Sequence, residues 1–117
     1  MPEFTPPFER LKIGPFFFEV KWVPDTMQKY NRDFGLCDTD NQVLVFDPGF
    51  KKQRLAHTFL HELQHAFENV YCIEKVLVNE EARVDLQATA LATFFADNPD
   101  VLAWLAGVLR CEDEVAA

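Results

Sequence analysis

His61, Glu62 and His65 stand in the spacing HExxH within the run Thr58-Phe59-Leu60-His61-Glu62-Leu63-Gln64-His65. On a helix, two imidazoles four residues apart lie one turn above each other, so both reach a single zinc ion. Glu62 is displaced by about 100° around the axis and can stand over a metal-activated water without being a ligand. Two ligands for a Lewis acid and a carboxylate base make the arrangement of a metallohydrolase. At average usage of His and Glu, this spacing arises by chance in roughly a few chains per thousand of this length.

The surrounding residues support a helix. At about 100° per residue, Leu55, Ala56, Phe59, Leu60, Leu63, Ala66, Phe67 and Val70 fill one arc. His57, Thr58, His61, Gln64, His65, Glu68 and Asn69 fill the other, with Glu62 at the boundary. One face builds a core and the other meets a cleft or water.

A catalytic zinc normally takes three protein ligands and leaves one position for water. No histidine follows His65, and Glu68 and Tyr71 occupy the positions where HExxHxxGxxH needs Gly and His. The third donor is then His57 or a carboxylate. His57 lies one turn before His61, but three imidazoles along one straight helix converge poorly on a tetrahedral centre. Glu80 and Glu81 open the next predicted helix, where acids also complement the helix dipole. Glu81 is favoured over Glu80 because Asp85, four residues on, is placed to accept a hydrogen bond from a ligand imidazole and fix its tautomer. Tyr71 and Arg83 are candidates for an oxyanion donor by proximity in sequence alone.

The elements that must position these residues follow from pattern and punctuation. Residues 1–12 carry Pro2, Pro6 and Pro7 and read as an extended lead-in. Ile13–Val23, rich in aromatic and β-branched residues, reads as a strand with Phe16, Phe18, Val20 and Trp22 on one face. A short helical turn is expected from Pro24 to Tyr30. Leu36-Cys37 and Val43–Phe46 read as a hairpin around Asp38–Gln42, and Val43–Phe46, if at a sheet edge, would accept an extended peptide by strand addition. The HExxH helix is expected over about Lys51–Val70. A second helix is expected from an N-cap at Asn79 to about Ala96, with Val84, Ala88, Leu91, Ala92 and Phe95 inward. A third, capped by Asn98 with Pro99 in its first position, is expected to end near Arg110. Its apolar residues, Val101, Leu102, Trp104, Leu105, Val108 and Leu109, are expected to close the core, the alternative being that they dock a partner or a second copy. Strands followed by helices make an α+β domain over 13–110, with 111–117 as a tail.

The totals bound the partners. The chain has 117 residues, 49% of them hydrophobic and twelve of them Phe, enough for one well-filled core. A formal charge of −8 opposes the phosphate contacts on which nucleic-acid binding depends, so no nucleic acid is expected. Cys37, Cys72 and Cys111 show neither CxxC spacing nor an even count, which predicts reduced thiols and no thiolate zinc site. No run of eighteen apolar residues and no signal-peptide pattern is present, so neither a membrane partner nor export is expected and the chain is placed in the cytoplasm.

TFLHELQHAF followed by NEEARVDLQATALATFFADNP resembles the small single-domain HExxH zinc metallopeptidase-like proteins encoded by bacteriophages, and more distantly the ImmA/IrrE peptidases. The likeness spans about Ile13 to Leu105 and includes the gluzincin pattern of HExxH followed by a glutamate, with Glu81 and Asp85 as its Glu-x-x-x-Asp element. It implies a zincin-like fold, a small three-stranded antiparallel or mixed sheet on the HExxH helix followed by two further helices. It also implies Zn2+ held by His61, His65 and Glu81, with Asp85 supporting a ligand and Glu62 as general base. The activity implied is peptide-bond hydrolysis on a protein or peptide substrate, in the host cytoplasm for a phage protein. The alternative is a catalytically silent, zinc-stabilised protein-binding module on the same scaffold.

Overall fold

Gly14 and Pro15 divide what the composition suggests is one strand. In the computed structural model, which describes residues 5–24, 35–49, 52–73 and 79–110, β1 (Arg10–Ile13) and β2 (Phe16–Trp22) are an antiparallel hairpin. Ile13 pairs with Phe16, so the loop has two residues, and Gly14 takes φ +58°, the left-handed geometry such a connection needs. A side chain at position 14 would also meet Val70 Cγ1 at 2.8 Å. The expected lead-in of residues 1–12 therefore ends earlier, because Arg10 to Lys12 belong to the sheet. It is also anchored: the Phe8 ring packs edge-on against Trp22, Phe59 and Trp104, and its carbonyl accepts the Trp22 indole N–H at 2.9 Å.

Alternation decides the faces of this hairpin. Leu11, Ile13, Phe18 and Val20 are buried, while Arg10, Phe17, Glu19 and Lys21 face outward. The Arg10 guanidinium lies 3.9 Å over the Phe17 ring. β3 (Gly35–Asp38) and β4 (Val43–Phe46) form the second antiparallel pair, as their pattern predicts. Asp38 closes their turn by accepting from the backbone N–H and the side-chain amide of Asn41. β4 then pairs parallel to β2, giving a mixed sheet in the order β1-β2-β4-β3. Among the described residues the sheet has four strands rather than the expected three, the additional one being β1. Leu44 and Phe46 of β4 face the helices and join the core, and Val45, of opposite parity, is buried as well. The edge strand beside it is β3, so the condition for strand addition at Val43–Phe46 is not met.

Among the described residues, three helices cover one face: α1 (Lys52–Val70), α2 (Glu80–Asp97) and α3 (Pro99–Arg110). The architecture is α+β. The turn expected over 24–30 falls, from residue 25 on, outside the described residues, as do the tail at 111–117 and most of the connection after Ile73. α1 buries Leu55, Ala56, Phe59, Leu63, Ala66 and Phe67, in agreement with its apolar arc, and also Thr58, expected on the polar arc but covered where β3 approaches at Gly35; it lies mainly against β3 and α3. Phe59 is the hub of the core: its ring centroid is 5.5 Å from Phe8, 5.4 Å from Phe46, 5.4 Å from Trp104 and 6.5 Å from Phe94.

α2 is turned differently from its expected arc. Ala90 and Phe94 are its buried residues, whereas Val84, Ala88, Leu91 and Ala92 are exposed. The helix is apolar nearly all round, so periodicity does not choose a face. Packing does, because the Phe94 ring fits between Phe59 and Phe67.

Asn98 ties the two halves of the fold together. Its side chain accepts the Lys12 N–H at 3.0 Å and donates from Nδ2 to the carbonyls of Lys12 and Phe94 at 2.8 Å each. The amide thus satisfies the outer backbone of edge strand β1 and the last turn of α2, a different task from the expected cap of α3. Asn98→Ala is expected to cost about 1–3 kcal/mol in urea unfolding, because it leaves part-buried backbone groups unsatisfied. Asn98→Asp, which sets a carboxylate oxygen against the carbonyls of Lys12 and Phe94, should cost at least as much.

Candidate functional site

α1 carries His57, His61 and His65 on its exposed side, one turn apart. The His61 and His65 rings lie 4.9 Å apart between centroids at 77°, edge to face. Leu55, Phe59, Leu63, Ala66 and Phe67 fix this orientation by filling the core on the opposite side. Glu62, a quarter-turn away and half-buried, lies on the side facing β3.

Gly35 makes that approach possible. A Cβ at position 35 would stand 3.0 Å from Thr58 Cγ2, 3.1 Å from the Val45 carbonyl oxygen and 3.2 Å from Glu62 Cγ. Strand and helix meet there with room for a hydrogen and nothing larger. In the sequence Gly35 reads only as a break. A glycine opening a strand is nevertheless the available signal of close backbone approach.

Cys37, two residues further along β3, shares this environment. Its thiol is pushed up to about 12, first by burial and then by the negative charges of Glu62 and Asp38. Asp38 is itself held below the usual carboxylate range by the hydrogen bonds from the Asn41 side chain and backbone. A carboxylate therefore stands at the junction of α1 and an edge strand, with a neutral thiol beside it and two imidazoles on the next arc of the helix.

The other candidates lie elsewhere. Glu80 and Glu81 are exposed in the first turn of α2, where Asn79 caps the helix by accepting the Ala82 N–H at 3.1 Å. Asp85 is also exposed. α2 reaches α1 through Phe94, thirteen residues beyond Glu81 and so about 20 Å along the axis, and it does so on the side of α1 opposite the histidines. Tyr71 packs edge-on to Phe67 and lies against Gly14. Arg83 is half-buried, with its backbone N–H bonded to the Asn79 carbonyl.

Fitness for a metal can be judged from the donors. Two neighbouring imidazoles on one helix face suit a divalent ion of the zinc class by type and spacing. Among the described residues no three of His, Cys, Asp and Glu come together to hold an ion. The structure thus brings together His61, Glu62 and His65, and does not bring His57, Glu80 or Glu81 to them as a third donor. A separate concavity of about 590 Å³, at the ends of β2 and β4, is lined by Pro6, Glu9, Val20, Trp22, Pro24, Pro48 and Gly49 and contains none of these residues.

No helix among the described residues is long and apolar enough to cross a membrane. Compared with protein-family models, with curated proteins and with solved structures, the chain matches none.

Proposed function

We propose that this chain is a zinc-dependent peptide hydrolase with a zincin-like architecture, in which His61 and His65 hold the ion and Glu62 is the general base. The observation that carries this reading is the position of Glu62, on the helix of the paired imidazoles and against edge strand β3. Zinc, when bound, supplies acidification of a water and polarisation of the scissile carbonyl. Glu62 accepts the proton of the attacking water and returns it to the leaving amine. β3 offers its outer backbone groups to an extended peptide, holding the scissile bond across the face of α1. Glu81 is the third ligand that the sequence pattern implies; with α2 packed as it is, Glu81 does not join His61 and His65.

The alternative is a silent, zinc-stabilised binding module on the same scaffold. Elemental analysis separates the readings at their root. Roughly one zinc per chain is expected in the wild type, with loss in His61→Ala. A wild type that gains no zinc at micromolar concentration would sink both metal-based readings. Loss in Glu81→Ala would identify the third ligand, and retention would remove Glu81 from the site.

A further inference from the structure

The exposed apolar row of α2 has no role in the reading above. Val84, Ala88, Leu91 and Phe95 recur at intervals of four, three and four residues, which places them within about 60° of arc on one side of the helix. Val84 is 49% and Leu91 38% exposed, Ala88 is exposed, and Phe95 is half-buried. This is the spacing of a helix seam, a narrow apolar row that a second helix covers with side chains at the same interval. Glu80, Glu81 and Asp85 flank its first two turns. None of the three makes a salt bridge among the described residues, and the only cation in α2, Arg83, lies on the inner, half-buried side.

The charges select the occupant. A second copy in parallel would set Glu81 against Glu81. Each copy would also bring a formal charge of −8. We propose that the Val84-Ala88-Leu91-Phe95 face of α2 docks a basic amphipathic helix of a partner protein, its apolar row on the seam and its Lys or Arg residues against Glu80, Glu81 and Asp85. The contact is of the helix-on-groove kind, with affinity from the apolar row and selectivity from the charged rim.

The test uses the full-length chain and three synthetic peptides of about three heptads. The first has Leu at seam positions and Lys in the flanks, the second the same seam with Glu flanks, and the third the composition of the first in scrambled order. Fluorescence anisotropy of the labelled peptides should show the Lys-flanked one binding at least about tenfold tighter than either control, and weakening as salt rises. Leu91→Asp and Val84→Asp, both at exposed positions, should each weaken it by about tenfold with an unchanged circular dichroism spectrum and melting point. Glu80→Gln combined with Asp85→Asn should weaken it less and flatten the salt dependence. Equal binding of the scrambled or Glu-flanked peptide overturns the proposal, as does binding unaffected by Leu91→Asp. A dimer in sedimentation that Leu91→Asp dissociates would assign the face to a second copy and overturn it as well.

Discussion

Glu62→Gln should lower peptide hydrolysis by about 10²–10⁴-fold while the zinc content stays that of the wild type. The substitution preserves size and hydrogen-bonding reach but removes the carboxylate that accepts the proton. Its effect should therefore fall on kcat, leaving KM nearly unchanged. Glu62→Asp keeps the base and withdraws it from the strand by one methylene, so it should lose less. Turnover unchanged in Glu62→Gln would remove Glu62 from the chemistry.

Cys37 supplies an independent check of where Glu62 sits. At neutral pH a thiol raised to about 12 is almost entirely protonated and alkylates slowly. Burial, the largest cause, persists in the variant, while the Glu62 charge does not. In chelator-treated protein, iodoacetamide mapping should thus show Cys37 reacting more slowly than exposed Cys72 and becoming a few-fold faster in Glu62→Gln. No change at Cys37 would mean that burial alone sets its reactivity.

Phe59→Ala should be the most damaging single truncation in the core, at about 3–5 kcal/mol, since the ring is fully buried and touches four other aromatic residues. Against a total stability of about 5–15 kcal/mol, that is a large share. In thermal melts the loss should be on the order of 15 °C. Phe59 joins the lead-in at Phe8, strand β4 at Phe46, α2 at Phe94 and α3 at Trp104, so the cavity would open at the meeting point of four segments. Phe16, 43% exposed on the hairpin, is the control, and Phe16→Ala should stay within about 0.5 kcal/mol of wild type. Equal costs at the two positions would refute the assignment of Phe59 as hub.

The orientation of α1 was legible in the sequence because it depends on local spacing. A helix advances by a fixed angle per residue, so Leu55, Phe59, Leu63 and Phe67 on one arc oblige His61 and His65 to lie together on the other. Local chemistry likewise determined the Asn79 cap and the turn between β3 and β4, where short-range hydrogen bonds decide. Gly14-Pro15 was also a local signal for the β1–β2 turn, overridden by the apolar run around it.

Tertiary structure decided what local spacing leaves degenerate. Val43–Phe46 can pair as an edge or as an inner strand, and it became inner because β2 takes it in parallel. α2 is apolar on several sides, and the fit of Phe94 between Phe59 and Phe67 chose the face, turning Val84 and Leu91 outward. Asn98 has the chemistry of a cap, yet the backbone of a strand 86 residues away became its partner. The position of Glu81 relative to the histidines is of the same kind. The sequence placed a carboxylate at the start of a helix, and only the packing of that helix determined how far from His61 and His65 it stands, because such contacts depend on the three-dimensional path of the chain and not on intervals along it.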